Sequence, residues 1–538
     1  MTPVDETAAR ELAGARLLRT YEGVEPTPAI LDAMSRGLAA GVTIFRAKNV
    51  GSPGQLRAAC AALQAARPPG DPPLVIGIDQ EGGQLQAVGH GATAWPGNLA
   101  LGAAGSAALA EAAGRAIGDE AAAMGATMVF APVCDVLTPL SATPLGTRPF
   151  GSDPERVASL ATAMTRGLQA AGVAAVLKHF PGHGAARGDS HDGMPVVRDD
   201  AATIRARDLA PFRAGIEAGA RAVLAGHLAA PALADGAVVP ATVSRALLDG
   251  VLRRELGFHG VTVSDALDMG GAAAAGRLDD TVVAAAGAGL DLMLLVHAPA
   301  VEDAVLEALA GAIRSGRLDT ADAGAARERI RALRAWLGEA SQPPLEVVGS
   351  AAHLALARQI AEASVTLVRD PAGLLPLRPA GGLRLCLLAP NPVDLTPAES
   401  SSHLRLGLAA ALRERGLSVE ELVVPLRPTP AEVAALVHAA GGADLALTGT
   451  LDAVSHPGQA ALVEQLAHRM PTIAVALRSP YDVAVYPDTA GVACMYGVQP
   501  PQVEALADAL VGRIGFAGSL PVAIPRPGEL DPTGSLSQ

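Results

Sequence analysis

The run Ala174-Ala175-Val176-Leu177-Lys178-His179-Phe180-Pro181-Gly182-His183-Gly184 opens as an unbroken apolar stretch, ends on an ammonium and an imidazole, and breaks on proline and glycine. A short aliphatic run bounded by turn residues reads as a buried strand, here 174–178, and Pro181 and the glycines place the next residues in a loop leaving that strand. Similar runs lie at 17–21, 41–45, 74–79, 127–131, 221–225, 261–265 and 290–295, separated by Ala/Leu/Arg stretches of helical period. Strands alternating with helices build a buried parallel sheet. Eight such units close into a (β/α)8 barrel of TIM type, whose working residues collect at the C-terminal ends of the strands. Polar residues fall there repeatedly: Asp79, Asp135, Lys178 with His179, His227 and Asp265.

With 538 residues the chain exceeds what one core usually supports. A charged helix over 321–337 is broken by Ser341-Gln342-Pro343-Pro344, which reads as a linker. The expected division is a barrel over 1–340, a linker over 341–350, and a smaller doubly wound αβα sandwich over 351–538. Candidate strands of the second unit are 383–388, 418–424, 444–447, 473–477, 492–495 and 521–524, and the tail from 525, rich in Pro, Gly and Ser, is expected to fray.

A formal net charge of -13, without any Lys/Arg-rich run, argues against a nucleic-acid surface. The N-terminal residues lack the basic start and apolar run of a signal peptide, which predicts a cytoplasmic protein, and the absence of a long uninterrupted apolar stretch predicts no membrane span. Cys60, Cys134, Cys386 and Cys494 lack metal-type spacing and read as buried free thiols. Lysine occurs only at Lys48 and Lys178 among 41 basic residues, so Lys178 hints at a compact ammonium that a planar guanidinium does not replace.

The 178–191 segment holds three imidazoles, one ammonium and the carboxylate of Asp189. A metal site from His179, His183 and His191 is disfavoured, because the four-residue spacing of the first pair helps only on a helix and Pro181 forbids one. Ser190 lacks the flanking glycines of a nucleophile elbow. What remains is an Asp-x-His dyad in which Asp189 orients His191 and raises its basicity for proton transfer; the alternative is a loop histidine held by structural bonds. Asp265, ending the β-branched run 261–264, reads equally as a nucleophile or as a helix N-cap. Asp268 reads as structural. Asp79 and Glu81 precede Gly82-Gly83, whose glycines permit a tight turn or close approach of a ligand. Arg148 is suited to clamp ligand oxygens, while Asp153 before Pro154 reads as a helix cap.

Taken together, these segments resemble glycoside hydrolase family 3, in the branch of its bacterial β-N-acetylglucosaminidases and in their two-domain form. The resemblance rests on the Lys178-to-Gly184 run with Asp189-Ser190-His191, on Asp79-Gln80-Glu81-Gly82-Gly83, on Ala131-Pro132-Val133-Cys134-Asp135-Val136, on Arg148 and on Ser264-Asp265. It spans roughly residues 10–310 and, more loosely, Leu477-Arg478-Ser479-Pro480-Tyr481-Asp482 and Gly518-Ser519-Leu520-Pro521-Val522. It implies Asp265 as nucleophile, His191 as acid/base and Asp189 as its orienter, with Asp79, Arg148, Lys178, His179 and His183 on the substrate. The implied reaction retains anomeric configuration through a glycosyl-enzyme, on terminal β-linked N-acetylglucosamine of cell-wall fragments; no metal or organic cofactor is expected, and the expected partners are a small carbohydrate with N-acetylglucosamine and phosphate, on a monomer or homodimer.

A neutral imidazole repels an incoming anion less than a carboxylate does, so phosphate is the alternative acceptor and a phosphorylase the alternative activity. A non-catalytic sugar-binding protein is a third reading, which retention of both Asp265 and His191 disfavours. Gln84, Gln86 and Pro149 depart from the family pattern, which has arginines and a serine there, and bear on the shape of the sugar pocket. Arg478 and Asp482 flank a turn after an apolar strand, in a second unit without a titratable cluster; a structural salt bridge between them is the expectation, and reach to a neighbouring barrel mouth is the alternative.

Overall fold

The computed structural model describes residues 5–186, 188–190, 193–267, 269–273, 276–296, 299–378 and 382–526. His191, Asp268 and most of the tail lie outside them. Eight parallel strands form the first sheet: β1 Leu17–Arg19, β2 Gly41–Ile44, β3 Val75–Ile78, β4 Met128–Val129, β5 Ala174–Phe180, β6 Ala222–Ala225, β7 Val261–Ser264 and β8 Met293–Leu294, in the order β8-β1-β2-β3-β4-β5-β6-β7. The ring is completed by the parallel bridge Val263–Leu292 and by the Ser264 amide, which donates to the Leu292 carbonyl at 2.9 Å. β5 runs two residues beyond the expected end, through Phe180.

Alternate residues of each strand point into the barrel. Leu18, Val75, Met128, Val176, Leu224, Val263 and Leu294 pack together there, and Ile330, Leu333 and Leu337 of helix Thr320–Leu337 join the same cluster. Asp153 caps helix Pro154–Ala170 as expected, its carboxylate accepting from the Glu155 amide at 3.0 Å.

The second sheet has six strands: β9 Thr366–Arg369, β10 Arg384–Ala389, β11 Ser418–Val423, β12 Leu445–Thr450, β13 Thr472–Ala476 and β14 Gly491–Cys494. Their order is β9-β14-β13-β12-β10-β11, parallel except for β9, which runs antiparallel to β14. Helices cover both faces, which gives the αβα sandwich. β9 escaped the sequence reading because it follows helix Ala351–Ser364 after a single residue and is only half buried. Residues 521–524 do not form a strand: Pro521 has no amide to donate, and its carbonyl instead accepts the Ser152 amide of the barrel at 3.0 Å.

The start of helix Ala351–Ser364 is fastened to the barrel by Glu120, a buried carboxylate on helix Ala107–Ala123 that accepts from the Gly349 amide at 3.0 Å and bonds His353 Nδ1 at 2.9 Å. Arg478 does not pair with Asp482. It pairs with Glu399 at 3.0 Å, while the Asp482 carboxyl accepts the Thr450 hydroxyl in the interior, where burial and the neighbouring Asp452 push it up to about 7. The second domain therefore does carry titratable groups in contact. All four cysteines are buried and unpaired. No helix among the described residues is long and apolar enough to cross a membrane.

At the barrel's N-terminal end, closure depends on Asp291, which has no exposed surface. Its carboxylate accepts the Thr262 amide at 3.0 Å, Arg253 at 2.7 Å and Arg329 at 2.7 Å, so β7, the entry to β8 and helix Thr320–Leu337 share one anion. Asp291→Ala leaves two guanidinium groups without their partner and is expected to lower stability by about 3 kcal/mol. Urea unfolding measures this loss, and activity per folded molecule should stay unchanged because Asp291 is remote from the C-terminal face.

Candidate active site

A cavity of about 770 Å³ opens at the C-terminal ends of the barrel strands. The inward alternation explains its lining. Val75 and Gly77 are followed by Asp79, Ala174 and Val176 by Lys178, and Val261 and Val263 by Asp265, so three consecutive odd-numbered strands each raise a charged side chain above the apolar barrel core. All three line the cavity with Arg148, His179, His183 and Asp189, over an apolar floor that includes Phe130, Leu224 and Leu294. The described sequence-expected residues thus meet in one place, and His191 lies outside the described residues.

Lys178 Nζ donates to Asp79 Oδ1 at 2.7 Å and lies 2.6 Å from Glu81 Oε1. Arg148 grips the same Glu81 bidentately, through Nη2 at 2.8 Å and Nε at 3.0 Å. A second nitrogen contact of Arg148 fixes the neighbouring imidazole: Nη2, which only donates, stands 3.1 Å from His179 Nε2, so Nε2 accepts and Nδ1 carries the proton. That Nδ1 donates to Asp135 Oδ2 at 2.7 Å, and the other Asp135 oxygen accepts the His183 amide at 2.7 Å.

Burial alone would raise the Glu81 and Asp135 carboxyls. The Arg148 and Lys178 cations hold Glu81 down at about 2, and His179 with His183 hold Asp135 at about 2. Burial opposes the charge on Lys178, but Asp79 and Glu81 outweigh it and keep the ammonium above its ordinary value. Burial dominates at His183 and lowers its imidazole. Glu81, 1% exposed, does not line the cavity, whereas the Asp79 side chain keeps 29% of its surface. Asp79, Lys178 and Arg148 therefore present donors and acceptors to the cavity, a surface suited to a hydroxyl-rich molecule.

Asp265 stands at the start of the turn after β7, with Oδ1 accepting the Ala266 amide at 2.9 Å. The next helix begins at Gly270, so Asp265 is not its N-cap. Buried His227 donates from Nε2 to the Ala266 carbonyl at 2.8 Å and steadies this turn. Gly271 ties it to the Asp189-Ser190 loop: its amide donates to the Ser190 carbonyl at 2.9 Å, and a Cβ there would fall 2.8 Å from His227 Cβ and 2.9 Å from that carbonyl.

The second domain supplies one wall, from Asp394, Pro397, Ala398, Glu399, Ser400 and Ser402. Of the departures from the family pattern, Gln86 lines the cavity while Gln84 faces the domain seam, and nothing in the structure explains Pro149. Glu81, Asp135 and His227 stand at or beside the strand ends in the sequence but carry no role among the expected site residues. The retained Lys178 and the Asp79-x-Glu81 spacing were the available signal for Glu81. Glu399 left no signal, because its position depends on how the two domains dock.

Because Glu81 is depressed from 4.5 to about 2, its ionised form is favoured in the fold. The stability it confers is present above the unfolded value and is lost as pH falls from about 4.5 toward about 2. Glu81→Gln should lower stability at pH 7 by about 3 kcal/mol and show a shallower acid dependence than the parent. Chemical unfolding at pH 7 and at about pH 3 measures both, and equal slopes would show that another group carries the acid sensitivity.

Residues 22–333, well over half the chain, match the family description "Glycosyl hydrolase family 3 N terminal domain". A β-hexosaminidase of Chromobacterium violaceum is 40% identical over 283 residues, covering 52% of this chain and 77% of that one. β-Hexosaminidase A of Pseudoalteromonas piscicida is 28% identical over 550 residues, covering 92% and 91%. Among solved structures, a glycoside hydrolase family 3 β-N-acetylglucosaminidase from Paenibacillus sp. str. FPU-7 superposes with a TM-score of 0.88 at 32% identity, covering 96% of this chain and 98% of that one. With a barrel whose strand ends converge on one charged cavity, and with such relatives along both domains, the chain belongs to glycoside hydrolase family 3.

Proposed function

We propose that this enzyme is a retaining exo-β-N-acetylglucosaminidase that releases terminal β-linked N-acetylglucosamine from peptidoglycan-derived fragments or similar glycosides. The observation that carries the proposal is one cavity lined by Asp265 together with Asp79, Lys178, Arg148, His179 and Asp189. The substrate class comes from the β-hexosaminidase and β-N-acetylglucosaminidase relatives.

In this reading Asp79, Arg148, Lys178, His179 and His183 hold the sugar. The Asp265 carboxylate attacks the anomeric carbon, an ester bond forms as the glycosidic C–O bond breaks, and His191, oriented by Asp189, gives its proton to the departing oxygen. His191 then takes a proton from water as that water attacks the same carbon and frees Asp265. Two inversions give net retention. The 394–402 loop closes one side of the cavity, which suits a chain end rather than a polymer running through.

Asp265→Ala should lower kcat/KM on an aryl β-N-acetylglucosaminide by about four orders of magnitude, and appreciable residual activity would displace it as nucleophile. His191→Ala should cost poor leaving groups about 10²–10⁴-fold and activated ones far less, since a good leaving group needs no proton. Equal losses would reduce His191 to a substrate-positioning role. Turnover with and without phosphate, with the sugar product identified by mass, separates the acceptors. Free N-acetylglucosamine at an unchanged rate supports the hydrolase, N-acetylglucosamine 1-phosphate would make the enzyme a phosphorylase, and binding without turnover would make it a sugar-binding protein.

A further inference from the structure

Within the parallel part of the second sheet the strand order is β11-β10-β12-β13-β14, so the winding reverses between β10 and β12. Doubly wound domains bind ligands at that reversal, in the crevice beyond the C-terminal edge of the sheet. Here protein fills the crevice, because the tip of the barrel's 80–86 hairpin enters it and leaves only about 10 Å³. Three loops on that edge, those after β10, β13 and β14, take hold of the tip. The Ser400 amide, after β10, donates to the Gln84 carbonyl at 2.7 Å; Arg478 Nη2, after β13, donates to Gln84 Oε1 at 3.0 Å; Gln499 Nε2, after β14, donates to the Gly83 carbonyl at 2.6 Å.

Gln84 Oε1 is also the acceptor for Thr147, from its amide at 2.7 Å and its hydroxyl at 3.0 Å. Thr147 immediately precedes Arg148, and Glu81, the partner of the Arg148 guanidinium, belongs to the same hairpin as Gln84. The residue before Thr147 must be small for this junction to form: a Cβ on Gly146, whose φ is +56°, would lie 2.3 Å from both Arg478 Nη2 and Gln84 Oε1. On its other side Arg478 pairs at 3.0 Å with Glu399. Glu399 in turn accepts the Leu395 amide at 2.9 Å and the Ser401 hydroxyl at 2.9 Å, which shapes the loop that walls the cavity. Arg478 is 4% exposed and Glu399 9%, so neither is a loose surface charge.

We propose that Arg478 is a positioning residue for the sugar site, acting through Gln84 and Thr147 on Arg148 and through Glu399 on the cavity wall, so that the barrel's sugar-holding geometry is completed by the second domain. The proposal rests on the reading of Arg148 as a sugar-holding residue.

The test compares Arg478→Met, Gln84→Met, the double variant and Gln84→Glu in the full-length enzyme. The readouts are kcat and KM on an aryl β-N-acetylglucosaminide, inhibition by N-acetylglucosamine, and amide hydrogen exchange over residues 143–150. Each single methionine variant is expected to lose about tenfold or more in kcat/KM and to bind N-acetylglucosamine correspondingly less well. The double variant should be no worse than the poorer single, because both break one junction. Gln84→Glu keeps an acceptor for Arg478 and Thr147 and should retain activity within about threefold. Folded methionine variants with kcat/KM and inhibition within twofold of the parent, or losses that multiply independently, would overturn the proposal. Gln84→Met leaves the Arg478–Glu399 pair intact and decides the matter if Arg478→Met fails to fold. Failure of the parent enzyme to turn over the glycoside would reject the glycosidase reading instead. Hydrogen exchange then still judges the junction: faster exchange over 143–150 supports it, and unchanged exchange overturns it.

Discussion

One carboxylate removed from water sets the geometry of the cavity. Glu81 neutralises Arg148 and Lys178 together, at 2.8 and 2.6 Å, and so lets two cations stand side by side in a buried place. Without it the pair would repel, and their desolvation would be uncompensated. From this anion the order spreads outward. Arg148, held on one edge, turns another toward His179 and selects its tautomer, and His179 passes the constraint to Asp135, which gathers the amides of the 179–183 segment. Lys178 carries the constraint to Asp79, the carboxylate of the group that faces open space.

The two domains meet through the same chemistry. A parallel sheet gathers its ligand-binding βα loops at the C-terminal edge, and here both sheets bring those edges to one cavity and its seam. The barrel brings charged strand ends, and the second domain brings a crevice that a hairpin of the barrel fills. The hairpin carrying Glu81 is thus held from below by the barrel and from above by Ser400, Arg478 and Gln499. Family membership accounts for the shared architecture. Gln84, where the family pattern has arginine, lies in this seam, so that departure bears on domain docking more than on the shape of the cavity.

The barrel strands were legible because a buried parallel strand writes itself locally, as a short aliphatic run between breakers, and a strand lies at each of the eight expected runs. Their polar ends were legible for the same reason: Asp79, Lys178 and Asp265 keep the period-two alternation of Val75-Gly77, Ala174-Val176 and Val261-Val263. β9 was missed because a short, half-buried strand right after a helix lacks an apolar signature, and 521–524 was overread because hydrophobicity does not register a missing proline amide.

The sequence by itself determined the barrel, the αβα second domain and the strand-end residues that gather in the cavity, since each is encoded by neighbours a few positions apart. The tertiary structure decided which charges share a partner. Arg148 and Glu81 are 67 residues apart in the chain, and Arg478 and Gln84 are 394 apart. Nothing local distinguishes Arg478, which bonds across the seam, from an arginine paired with nearby Asp482. A buried ion takes the partner that packing brings to it at hydrogen-bond distance, and only the docked fold fixes which partner that is.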